Sequence, residues 1–256
     1  MIRALFFAPV LALLAFATCC SDSSTAPYIK GNALMELTQT IETENFVFHY
    51  TPGDNVEVDR SEAYHRWAVA FLNVTCPKRV DYYKLKDREQ FVKLSNSWAT
   101  GFALIDPYEV WTYLPWQNHE CMHLYSMLFG WPPAFFLEGL AVAYQVDPAR
   151  GDFEAREKSG ERVHDIVRRY RQEGRLYPVT AIIDRVGWYA NDYTTTYLEA
   201  GSFVRYLADV HGIERLKEVF RKMGQNDERA DVKAKFAAIY GRTVEEVEKE
   251  WLAFLD

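Results

Sequence analysis

The stretch "WQNHECMHLYSMLFG", Trp116 to Gly130, sets His119 and His123 four residues apart, with Glu120 directly after the first. A helix turns each residue by about 100°, so the two imidazoles would leave the same side one turn apart and could share one metal ion. Glu120 would stand beside them, where a carboxylate reaches an activated water without being a ligand itself. Cys121, Leu124, Tyr125 and Leu128 follow the i, i+3, i+4, i+7 rule, which predicts a buried stripe and leaves the histidines facing a cleft.

A hydrolytic centre of this kind takes three protein ligands and keeps one position open. His164 lies in "GERVHDIVRRYRQEG", whose apolar stripe is Val163, Ile166, Val167 and Tyr170, so it reads as a solvated surface histidine. His211 precedes a glycine that should end a helix, where the helix dipole favours a histidine without any metal. His49 reads as a strand histidine and His65 as a helix-surface one. Glu138 is the better third ligand. It stands in "WPPAFFLEGLAVAYQV", where Pro132 and Pro133 make a turn into a second apolar helix. A lone carboxylate in such a run needs a cationic partner, either a metal ion or an arginine.

These side chains must be carried by two kinds of element. "ENFVFHYTP" alternates as a half-buried strand does, "RSEAYHRWAVAFLNV" reads as a helix, "RVDYYKLKD" and "GFALIDPYEVWTYL" as further strands, and "DREQFVKLSN" as a short helix. From Trp116 onward the pattern is helical: "IERLKEVFRKM" puts Ile213, Leu216, Val219, Phe220 and Met223 on one face, and Thr243 and Glu246 are spaced as a capping box. The expectation is an α+β fold, an N-terminal mixed α/β layer packed on a C-terminal mainly helical layer with the motif at the junction. Its divisions are a signal peptide over 1–19, a linker over 20–41, an α/β subdomain over 42–115 and a helical catalytic subdomain over 116–256.

The 256 residues are 49% hydrophobic and 25% charged, the composition of a globular protein. A net charge of -7 without clustered Lys and Arg argues against a nucleic-acid partner. Arg3 precedes an apolar run of fourteen residues, Ala4 to Ala17, too short to span a bilayer and suited to a signal peptide. The following "TCCSDSSTAP" resembles a bacterial lipoprotein signal, although Phe16, Ala17 and Thr18 before the cysteines match a lipobox imperfectly. The chain is therefore expected to be exported to the periplasm or cell surface, by simple secretion or with a lipid anchor on Cys19 or Cys20. Cys76 and Cys121 are no disulfide framework and are expected to be reduced or buried.

"HECMH" followed by "FFLEGLA" resembles the gluzincin metallopeptidases, specifically the peptidase MA-like group, and "YLEAGSFVRYLADVHGIERLKEVF" is similar to the helix pair that closes that zincin-like fold. The resemblance covers about residues 100 to 225. It implies that His119, His123 and Glu138 hold one zinc ion per chain, which would lower the pKa of a water to about 7. Glu120 would take the proton as the water attacks a peptide carbonyl and return it to the leaving amine. Tyr197, with Tyr193 as competitor, would steady the oxyanion, and the strand before the motif would pair with an extended peptide or protein substrate. Two features depart from the thermolysin branch. Val142 stands where that branch has an aspartate supporting a ligand histidine, and fourteen residues, 124–137, separate His123 from Glu138, somewhat fewer than in that branch. Two other functions are compatible with these residues: a non-catalytic surface or periplasmic binding protein of the same shape, and a zinc hydrolase of a non-peptide amide.

Overall fold

The computed structural model describes residues 31–256 apart from 32, 96 and 98. The expected signal peptide over 1–19, the candidate anchor residues Cys19 and Cys20, and the start of the linker lie outside the described residues. Gln39–Glu42 already forms a strand, β1, so the sheet begins inside the stretch expected to be linker. Among the described residues no helix is long and apolar enough to cross a membrane.

The fold is α+β, with one mixed five-stranded sheet and eleven α-helices among the described residues. The strands β1, β2 (Phe46–Tyr50), β3 (Val80–Lys84), β4 (Gly101–Leu104) and β5 (Glu109–Thr112) lie in the order β1-β2-β3-β5-β4. β2, β3 and β5 are parallel, and β1 and β4 flank them antiparallel. The connection from β2 to its parallel neighbour is α1 (Val58–Leu72), because parallel strands need a long crossover.

One expected strand is two. "GFALIDPYEVWTYL" folds back on itself through the turn at Asp106 and Pro107, which cannot continue a ladder, so its first half becomes the sheet edge β4 and its second half the inner strand β5. Alternation then sorts the side chains. Phe46, Phe48, Val80, Tyr82 and Val110 join the main core with the helices, whereas Tyr83, Trp111 and Phe102 face the other way toward Phe91 of α2 (Arg88–Ser95). On that second face His49, Tyr83 and Trp111 stack in register across β2, β3 and β5, with centroids 4.6 and 4.1 Å apart.

The motif helix α3 (Asn118–Met127) and the glutamate helix α4 (Ala134–Ala143) follow, separated by the Pro132-Pro133 turn. Cys121, Leu124 and Tyr125 are buried as expected and Leu128 is partly buried, but α3 is enclosed almost all round, since Met122, His123, Ser126 and Met127 are buried too. Every residue of α4 after Ala134 is buried, and each enclosed Phe or Leu contributes roughly 1.5–3 kcal/mol. The helical layer continues with α5 (Val163–Gln172), two short helices α6 (Val179–Ile182) and α7 (Arg185–Ala190), the long α8 (Tyr193–His211), α9 (Ile213–Lys222), α10 (Arg229–Tyr240) and α11 (Val244–Phe254). α8 lies tightly on α4 because glycines meet there: a Cβ on Gly201 would fall 2.2 Å from Cγ1 of Val142, and one on Gly139 would fall 2.9 Å from the Ala200 carbonyl oxygen. The capping box is present, with Thr243 Oγ1 accepting from the Glu246 amide at 3.2 Å and Glu246 accepting from the Thr243 amide at 2.8 Å. The main core runs from Phe46 to Leu255 and crosses the expected subdomain boundary at 115/116.

Candidate metal centre

α3 and α4 pack against each other so that the three expected ligands converge. Nε2 of His119 lies 3.1 Å from Nε2 of His123 and 3.1 Å from Oε2 of Glu138, and Nε2 of His123 lies 3.2 Å from the same oxygen. The two rings are nearly perpendicular, at 87°. One cation shared among the three atoms could account for all of these contacts. Tetrahedral coordination at zinc distances places ligand atoms about 3.3–3.4 Å apart, close to what is seen. The group could hold a metal ion, and the donor set alone is not specific to zinc.

The electrostatics agree with a site built around positive charge. Burial alone would push Glu138 up, but the charge on His123 and hydrogen bonds from both imidazoles hold it well below the ordinary carboxylate range. Its ion-pair partners among the described residues are these two histidines, not an arginine. Glu120 behaves in the opposite way. Burial raises it to about 7, with the Glu138 carboxylate adding to the rise and His119 opposing it. Oε2 of Glu120 is buried with no hydrogen-bond partner.

The edge strand packs on the stem of this side chain. A Cβ built on Gly101, the first residue of β4, would lie 3.0 Å from Cγ of Glu120, so the absence of a side chain lets the strand end pass directly over it. His119 has a partner that the sequence did not single out: the Gln145 side-chain amide is 3.3 Å from its Nδ1. Nδ1 of His123 is buried and unpartnered. The signal for Gln145 was weak, a polar residue just past the end of an apolar helix.

The remaining histidines are elsewhere. His211 ends α8 before Gly212, as expected, and His49 is a strand residue 3.3 Å from Asp81. Two expectations are corrected. His164 is half-buried rather than fully solvated: α5 packs on α8, so its Nδ1 meets Ser202 Oγ at 2.8 Å, and burial lowers its pKa. His65 is not on a surface either, because its side of α1 faces α3; its Nδ1 lies 3.0 Å from the Tyr125 hydroxyl. Cys76 and Cys121 are free thiols. Tyr197, on the first turns of α8, packs against Tyr193 at 4.0 Å and Trp188 at 5.0 Å.

Comparison with protein-family models and with curated proteins finds no match to this chain.

Proposed function

We propose that the chain is an exported zinc-dependent metallopeptidase of the gluzincin type, with a zincin-like fold. The observation that carries this reading is the convergence of His119, His123 and Glu138 beside Glu120, whose Oε2 is buried without a hydrogen-bond partner. Bound zinc would supply Lewis acidity toward water and toward a carbonyl oxygen. His119, His123 and Glu138 would hold it, and burial keeps that environment dry enough for charge to act strongly. Glu120 would take a proton on Oε2 and return it to a leaving amine.

A peptide is the proposed substrate. β4 is the outer strand beside β5 and its first residue packs on Glu120, but its four residues are buried, so an extended backbone could pair there only once that edge is uncovered. Tyr197 is the proposed oxyanion donor, since α8 packs against the glutamate helix.

The test is cleavage of an unfolded protein with zinc present, with fragments read by mass spectrometry. Wild type should cut it, and Glu120→Gln should bind zinc equally while losing cleavage by about 10³-fold or more. Zinc binding by wild type without cleavage of any unfolded protein would favour a binding protein of the same shape. Cleavage that persists undiminished in Glu120→Gln would remove Glu120 from the mechanism.

A further inference from the structure

The glutamate helix ends at Ala143, and the chain then turns back toward the motif helix. Two hydrogen bonds tie this return to the start of α3. Nδ2 of Asn118 donates to the carbonyl of Val146 at 3.0 Å, and the Gln145 amide reaches Nδ1 of His119 at 3.3 Å. Asn118 is buried, so the first bond fixes the backbone that presents Gln145. Gln145 also lines a cavity of about 660 Å³ with Trp116, Gln117 and Asn118.

Val142 is not available for the same task. Its side chain is committed to α8, where a Cβ on Gly201 would lie 2.2 Å from Cγ1 of Val142. An imidazole that gives Nε2 to an ion must keep its proton on Nδ1, and that proton needs an acceptor to fix the ring. The glutamine amide can serve both states. Through its nitrogen it donates to an unprotonated Nδ1, and through its oxygen, after half a turn, it accepts from Nδ1–H.

We propose that Gln145 is the positioning residue for His119, its side-chain amide holding Nδ1 so that Nε2 stays aimed at His123 and Glu138. The inference rests on the metal-centre reading above and adds how this chain orients its first ligand without an aspartate on the glutamate helix. Leucine at 145 fills similar space but accepts nothing. Glutamate only accepts, so it should favour the ligand tautomer at least as well as glutamine does.

The experiment is zinc affinity of the full chain, stripped of metal and titrated in competition with a chelating dye, for wild type, Gln145→Leu and Gln145→Glu. Thermal unfolding of each metal-free protein is measured alongside. Gln145→Leu should weaken zinc binding about 10- to 100-fold while Gln145→Glu stays within about threefold of wild type or binds tighter. The metal-free melting temperatures should agree within about 2 °C, since one partly exposed polar contact is at stake. Equal affinity in wild type and Gln145→Leu overturns the proposal and leaves the metal centre standing. Equal weakening in both variants also overturns it, because that pattern belongs to packing. A wild type that binds no zinc overturns the proposal and the metal-centre reading together.

Discussion

Glu138 on α4 and Glu199 on α8 are both carboxylates enclosed in apolar helices that pack on each other, yet they are driven in opposite directions. Glu138 faces two imidazoles and is held well below the usual carboxylate range despite its burial. Glu199 accepts one backbone hydrogen bond, from the Tyr177 amide at 3.1 Å, and burial raises it to about 8. Its Oε1 is buried without a partner. Burial is common to both. What separates them is whether cation-capable groups converge on the oxygen, and that convergence is the difference between a candidate ligand and a strained structural acid.

Glu120 belongs with Glu199 by its raised pKa and with Glu138 by its place, so it is the sharpest probe of the comparison. Replacing it by Gln should cost about 10³-fold or more in hydrolysis with zinc retained, whereas Glu199→Gln should leave activity near wild type, both read from initial rates of peptide cleavage.

A second test concerns the contact that holds the two helices together. Gly201→Ala should destabilise the fold by about 1–3 kcal/mol in urea unfolding, because the new methyl overlaps Val142. Adding Val142→Ala should recover part of that loss, the sign of a direct steric coupling. Loss of stability without such recovery would place the strain elsewhere.

The isolated acid makes a pH prediction. In the unfolded chain Glu199 ionises near 4.5, and in the folded chain at about 8. Between these values the folded state binds more protons, so its contribution is fully present below about 4.5 and is lost as the pH rises toward 8. Glu199→Gln should therefore gain roughly 2–4 kcal/mol of stability over wild type at pH 8 and little at pH 5, measured by denaturant unfolding at both. An equal gain at both pH values would mean that the side chain is not ionising in place.

The smallest effect is at Glu248, whose charge adds to the rise of Glu199 after burial has made the larger part. Glu248→Gln should move the Glu199 titration, followed by carboxyl resonances, downward by less than the shift that burial causes. No movement would show that the two carboxylates do not sense each other.

Much of the site was legible because helical spacing is a local property. His119 and His123 follow from four residues of separation, and Glu138 from the anomaly of one charge in an apolar run. The helical half and the Thr243 cap followed from periodicity in the same way. What was hidden depends on the path of the chain between elements. The Asp106-Pro107 turn splits one apparent strand into an edge and an inner strand, and the Asp-Pro pair was the available signal. Gln145 lies past a helix end, where no periodicity fixes direction. His65 and His164 sit on helices with charged neighbours, and only the packing of α1 on α3 and of α5 on α8 encloses them.

The most direct test of the metal centre is elemental analysis of the purified full chain, wild type beside Glu138→Ala, with circular dichroism to verify folding. The proposed zinc site, built on a group that could hold a metal ion, predicts close to one zinc per wild-type chain and almost none in a folded Glu138→Ala. A wild type without zinc, or a variant that retains as much as wild type, would contradict the account.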